Sequence, residues 1–229
     1  MNLYTGIDLA WSKNNNSGFC ELELKKGVLY IKEICILNSL EEIASKTTGK
    51  IVAIDASLVV NNEAGYRDCE LELSRDFRKY GCGAYPTNKK ILSKIGFRGE
   101  DLLELLKLKG YTENIHSKQN KVIEIYTHSS LVGIFNLKQH LKYKLKPNRT
   151  KEQRLSQMRE LLDLLKTKVK GAILYQEIPM GSKDLKEFED KIDSIVCALT
   201  AYYWDKYPEK CKIYGAKNGF IVSPHPDLT

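Results

Sequence analysis

Four short apolar runs in this chain each carry a carboxylate, and any fold open to it must find company for those charges. Asp8 closes Leu3-Tyr4-Thr5-Gly6-Ile7, and Asp55 closes Ile51-Val52-Ala53-Ile54. Glu124 lies inside Val122-Ile123-Glu124-Ile125-Tyr126. Asp193 is wedged in the apolar stretch from Ile192 to Leu199, with Asp190 three residues before it. A lone carboxylate beside a core costs several kcal/mol unless it is paired or binds a cation. One such residue is an accident of composition. Four of them, in four separate segments, point to a shared metal.

The segments that carry them read as strands and one long helix. Leu3 to Asp8 predicts a strand, and Asn14-Asn15-Asn16-Ser17-Gly18 predicts a turn. Cys20, Leu22 and Leu24 then alternate with Glu21 and Glu23, the pattern of a half-buried strand. Lys25-Lys26-Gly27 turns the chain into a third strand from Val28 to Leu37. A short helix from Leu40 to Lys46 precedes the strand Ile51 to Asp55. Tyr66, Cys69, Leu73, Phe77 and Tyr80 share one helical face, with Gly81 suited to the position past the helix end. Helix is predicted again from Glu100 to Lys109, and strand from Lys121 to Tyr126. Thr150-Lys151-Glu152-Gln153 is a capping box for a helix through Leu165. The last helix runs from about Ser182 to Tyr207, before Pro208. Two short strands, Lys212 to Tyr214 and Phe220 to Val222, flank a Gly-Ala-Lys-Asn-Gly turn. Three antiparallel strands followed by strands alternating with helices predict an α/β fold, a mixed five-stranded sheet flanked by helices. The expected organisation is one domain over residues 1–229, with a helical insertion at about 128–181.

Composition sets the broad class. With 42% hydrophobic and 28% charged residues the chain reads as an ordinary soluble protein. No stretch approaches the roughly 20 apolar residues of a membrane span, and the N-terminus lacks the basic start and apolar stretch of a signal peptide. A cytoplasmic location follows as the expectation. The six cysteines show no C-x-x-C spacing, so they read as reduced core residues rather than a zinc site or disulfide framework. In that compartment the Asn-x-Ser/Thr triplets at Asn15 and Asn148 carry no meaning. A net charge of +7 mildly favours a polyanionic partner. A homo-oligomer stays open.

In such a sheet the first and fourth strands can lie side by side at the centre, which would bring Asp8 and Asp55 together. Glu124 would come from the next strand out. Asp190 and Asp193 face the same side of their helix. Bunched carboxylates repel and raise one another's pKa, a conflict that a hard divalent cation removes. Mg²⁺ takes oxygen ligands and keeps several waters. Two such ions about 4 Å apart activate a water and stabilise the leaving oxygen of a phosphodiester. Mg²⁺ or Mn²⁺ is therefore the expected cofactor.

These residues carry a resemblance. Gly-Ile-Asp-Leu-Ala-Trp (6–11), Val-Ala-Ile-Asp-Ala-Ser-Leu (52–58), Val-Ile-Glu-Ile-Tyr-Thr-His (122–128) and Ile-Asp-Ser-Ile-Val-Cys-Ala-Leu-Thr-Ala (192–201) are similar to the motifs of the domain-of-unknown-function family 429. Asn62, Gly65-Tyr66-Arg67-Asp68-Cys69, Tyr80-Gly81 and Tyr214-Gly215 also match. The resemblance spans about Leu3 to Val222. It implies a ribonuclease-H-like fold and a nuclease, with Asp8, Asp55, Glu124 and Asp193 as the acidic catalytic centre. Asp190 is a further metal ligand, in a D-x-x-D pair similar to that of Holliday-junction resolvases of this fold. Thr127 departs from the pattern, which has proline before the histidine, and that leaves the shape of the loop at His128 open.

Each residue has a plainer alternative. Asp8 and Asp55 could cap turns, and Glu124 could pair with Arg67 or Arg75. Asp190 could be an exposed helix residue. Arg67 is either a phosphate clamp or a surface salt bridge, and His128 a general base or a core histidine. Lys138, Lys142, Lys144, Lys146, Arg149, Lys151 and Arg154 form the densest basic stretch. It could track a phosphate backbone, with Lys142, Lys144 and Arg149 as contacts, or be a solvated helix face. The leading reading is a metal-dependent nuclease acting on DNA or RNA by a two-metal carboxylate mechanism. Its rivals are a nucleotide-dependent phosphotransferase or ATPase on the same sheet, and a non-catalytic nucleic-acid-binding module. Against the first rival, Leu9-Ala10-Trp11 follows Asp8 where glycine and a hydroxyl residue would cradle phosphates. No G-x-x-x-x-G-K-[ST] loop exists either.

Overall fold

The computed structural model describes residues 2–147, 149–216 and 219–228. Asn148 and the Lys217-Asn218 part of the final turn lie outside the described residues. The chain opens with three strands, β1 (Leu3–Asp8), β2 (Ser17–Lys25) and β3 (Val28–Leu37), then helix α1 (Leu40–Lys46) and strand β4 (Ile51–Ile54). Helices α2 (Asp68–Phe77), α3 (Lys89–Ile95) and α4 (Arg98–Leu108) follow. After them come β5 (Tyr111–Thr112), β6 (Asn120–Glu124) and α5 (Thr127–Phe135). The chain continues through α6 (Lys151–Lys166), β7 (Val169–Lys170) and the long α7 (Ser182–Lys206). It closes with a separate hairpin of β8 (Cys211–Ala216) and β9 (Gly219–Pro224).

Among the described residues the main sheet has seven strands in the order β5-β6-β4-β1-β2-β3-β7, not five. Its five inner members are the expected ones. The edge strands β5 and β7 are two residues each, too short to leave an alternating pattern. β1 pairs parallel with β4 and antiparallel with β2, and β4 pairs parallel with β6. The first and fourth strands are thus neighbours at the centre.

Alternation along these strands feeds two cores, one on each face. Tyr4, Ile51, Ala53 and Ile123 pack with Ile192, Ile195, Val196 and Leu199 of α7. Ile7, Val52, Ile54 and Val122 pack on the other face with Ile43 of α1 and Leu102, Leu103 and Leu106 of α4. With both faces covered, β2 is not half-buried as its alternation predicted. Glu21 is buried, and it receives hydrogen bonds from Lys32 at 2.6 Å and from Thr48. α7 lies directly on the sheet because two glycines let it. A Cβ at Gly6 would fall on the backbone of Ser194 and Ala198, and one at Gly18 on the backbone of Asp190.

Several boundaries shift. Tyr66 is exposed and precedes α2, and the face it was predicted to share is carried by Cys69, Leu73 and Phe77. Gly81 takes φ +76°, ending the short helical turn after α2. The Thr150 capping box forms, with Thr150 Oγ1 accepting from Gln153 N at 3.2 Å. The stretch 128–181 holds nearly all of α5, all of α6 and the edge strand β7. No described helix is long and apolar enough to cross a membrane.

Candidate acidic centre

Asp8 follows Tyr4 and Gly6 in phase, so its side chain leaves β1 on the face that α7 covers. Asp55 is the residue after β4, and its N–H donates to Ile7 O at 2.9 Å, extending the parallel pairing by one step. It keeps the phase of Ile51 and Ala53, and so faces α7 as well. Asp193 comes down from α7, fully buried, and the glycine contacts of that helix seat it against the ends of β1 and β4. Asp8, Asp55 and Asp193 therefore converge.

Glu124 borders the same cavity but leaves the sheet on its other face. Its register partner is Ile54 rather than Asp55, and Ile54 belongs to the opposite core. One residue of phase sends its side chain to the other face of the sheet. There both of its oxygens are taken by Arg67, at 3.0 and 2.5 Å, and one also accepts from Leu58 N at 2.9 Å. Arg67 is buried as well, with its remaining donors on Glu70, Val59 O and Ser57. It is neither a free phosphate clamp nor a surface salt bridge, but the hub of a buried ion network. Burial still raises the Glu124 pKa, with Arg67 opposing.

The cation at the acidic centre comes from the basic stretch. Lys144 Nζ lies 2.6 Å from Asp193 Oδ2, and the neighbouring Tyr143 hydroxyl donates to Asp193 Oδ1 at 2.6 Å. The backbone here is pinned from behind. Arg149 donates to Lys144 O at 3.1 Å, and Arg154 to Tyr143 O at 3.3 Å. Lys144 on Oδ2 and Tyr143 on Oδ1 thus occupy both oxygens of Asp193. Among the described residues, no three Asp, Glu, His or Cys side chains are already grouped as a metal cage.

The electrostatics follow from this packing. Burial pushes the Asp8 carboxyl well above the usual range. Lys144 opposes the shift, and Asp193, Asp55 and Asp190 add to it. The same burial raises Asp55, less strongly because Lys144 and a hydrogen bond from the Thr127 hydroxyl favour its charge. Burial works against the Lys144 charge, but Asp193, Tyr143, Asp8 and Asp55 outweigh it and hold the ammonium protonated. Thr127, where the resemblance expects proline, opens α5 and gives Asp55 a hydroxyl that proline lacks.

Asp190 is buried on α7 beside the centre and pairs with Lys186. Glu189, which the sequence reading missed, is buried next to it, 3.5 Å from Arg154 and 3.6 Å from Lys186. Its signal was the acidic triplet spacing 189, 190 and 193 on one helix. His128 is buried among the rings of Tyr126, His140 and Tyr143. Burial, and then Lys144, push its pKa well down. Such an imidazole stays neutral and is a poor proton acceptor, so its surroundings are those of a core histidine.

Asp8, Asp55 and Asp190 line a cavity of about 720 Å³, which Lys144, Lys146, Lys183 and Lys186 also border and which Glu124, Arg67 and His128 reach as well. Lys142 and Arg149, expected beside Lys144 on the substrate, instead border a different hollow with Glu152 and Gln153.

The family described as "Protein of unknown function (DUF429)" matches residues 6–218 of the chain. No curated protein and no solved structure matches it.

Proposed function

The chain belongs to the DUF429 family of proteins of unknown function, and for this member we propose divalent-cation-dependent hydrolysis of phosphodiester bonds in nucleic acid. One observation carries the reading. Three carboxylates, the buried Asp193 and the half-buried Asp8 and Asp55, are gathered around Lys144, whose ammonium pairs directly with Asp193 alone. So costly an arrangement has no structural use that an apolar core would not serve better. Central adjacency of the first and fourth strands, and the long helix laid on them, are in keeping with the ribonuclease-H-like fold that the resemblance implies.

The donor set suits Mg²⁺ or Mn²⁺, since it consists of hard carboxylate oxygens, of which those of Asp8, Asp55 and Asp190 border the cavity and Asp193 lies buried behind them. Asp8, Asp55 and Asp193 would hold the ion, with Asp190 at the margin. When bound, such an ion supplies Lewis acidity and a more acidic water to phosphate chemistry. Lys144 balances the carboxylates and has a substrate phosphate as its alternative partner. Thr127 orients Asp55, and Tyr143 orients Asp193. Glu124 and Arg67, paired with each other, form part of the cavity wall. Lys146, Lys183 and Lys186 give its wall positive charge for the strand.

Single- and double-stranded DNA, RNA and hybrids, incubated with Mg²⁺ or Mn²⁺, test this. The wild type is expected to cleave at least one of them only with the cation, and Asp8→Asn with Asp193→Asn to abolish cleavage. Cleavage unchanged in that double variant would remove the proposal.

A further inference from the structure

Two large aromatic side chains at the cavity have no packing role that explains them. Trp11 is 49% exposed and Tyr85 59% exposed, and both border the cavity that holds Asp8 and Asp55. Trp11 is three residues past Asp8, so its backbone lies within roughly 10 Å of the acidic centre, whatever path the chain takes. It also borders a smaller hollow lined by Leu92, Ile95 and Arg98. Tyr85 is coupled to the basic wall. Lys146 Nζ donates to its hydroxyl at 2.7 Å and lies 5.0 Å from its ring centre. Both exposed rings thus border the cavity that the carboxylates and lysines border, with Lys146 against Tyr85.

We propose that the substrate is a single-stranded nucleic acid, whose unpaired bases stack on Trp11 and Tyr85 while Lys146, Lys183 and Lys186 take the flanking phosphates. This rests on the nuclease reading for its chemistry but not for its binding. Exposed rings interleaved with cations form the platform that single strands use, because every base has a face to stack and a duplex has already used its own. Asp8 and Asp55 are half-buried and border a cavity rather than standing free on the surface, so the reacting phosphate must enter. A flexible strand can thread there, and a cavity of about 720 Å³ is in the range that encloses ligands of nucleotide size. Arg67, the one arginine among the described residues bordering the cavity, is spent on Glu124 and Glu70, which leaves the lysines for the backbone.

The chain has two tryptophans, Trp11 and Trp204. Trp204 lies eleven residues beyond Asp193 on α7, about 16 Å along the helix axis, so quenching reports mainly on Trp11. The experiment titrates a ten-residue oligothymidylate or oligouridylate into the full-length protein in EDTA, reading intrinsic fluorescence and anisotropy. Quenching on binding is expected. Trp11→Ala and Tyr85→Ala should each weaken binding about five-fold or more, and Trp11→Phe should restore most of it. A duplex of the same length or a mononucleotide binding as tightly as the single strand would overturn the proposal. So would unchanged affinity in both alanine variants, once their melting temperatures match the wild type. Binding without a cation separates this from the chemistry. Stacking with no cation-dependent cleavage would sink the nuclease reading alone, and cleavage with no stacking would sink this one alone.

Discussion

Burial disfavours the charge of both Asp8 and Lys144; it raises the Asp8 pKa despite Lys144, whereas the surrounding carboxylates keep Lys144 protonated. The two therefore respond oppositely to removal. Asp8→Asn deletes a carboxylate whose folded pKa is raised. Such a group costs stability above its folded pKa and nothing once it is protonated in both states. The variant is expected to be about 1–2 kcal/mol more stable at neutral pH, a common exchange of activity for stability. The gain should fade as pH drops towards the ordinary carboxylate value of 3.8. Urea unfolding at several pH values reads this out, and a variant less stable at pH 7 would contradict it. Lys144→Met leaves three carboxylates without their counter-ion and is expected to cost about 3–5 kcal/mol. Millimolar Mn²⁺ should recover part of that loss in a thermal melt, since a ligand of the folded state stabilises it. A melt indifferent to Mn²⁺ would count against the centre as a cation site.

Asp8, Asp55 and Asp193 stood out because each interrupts or closes an apolar run, although turn capping was a plainer reading of the first two. The place of Glu124 was not drawn, although its phase is written in the sequence. Counting alternate residues from Val122 puts it opposite Ile123 and Ile125. Lys144 was hidden for a different reason. In Lys142-Tyr143-Lys144 the alternation marks the tyrosine as buried and both lysines as exposed. Only the acidic centre, brought together from distant segments, turns one of them inward.

Among the elements, α7 does most to build the centre, and its position depends on what is missing from the strands beneath it. Gly6 and Gly18 let the helix backbone touch the sheet. Gly6→Ala forces that contact apart, and overpacking of this kind costs about 1–3 kcal/mol or more. Because the helix carries Asp193, the variant should also lose cation affinity, measured by calorimetry. Full affinity in a destabilised variant would show that the seating of α7 is not what sets the site. The inner strands and the longer helices were readable from period and caps. Helices α3 and α5 were not. α3 is only seven residues long. α5 runs through Thr127 to Ile134 buried on every side, so it has no polar face and no 3.6-residue rhythm to read.

For the whole molecule, the arrangement of charge matters more than the net +7. The basic stretch after residue 137 is not one solvated face. Lys144 and Arg154 turn to the acidic residues of α7, Lys146 turns to Tyr85, and Lys142 and Arg149 border another hollow. Phosphate contact should then rest on about three lysines at the cavity wall. The affinity for a single strand should fall with salt with a log–log slope of about −2. A slope near zero, or one several times steeper, would contradict that count.

Calorimetric titration of Mn²⁺ into the wild type, Asp193→Asn and Glu124→Gln tests the central claim most directly. The account predicts binding by the wild type, a loss of roughly ten-fold or more in Asp193→Asn, and affinity within about two-fold of wild type in Glu124→Gln. No binding by the wild type, or equal binding by Asp193→Asn, would contradict it.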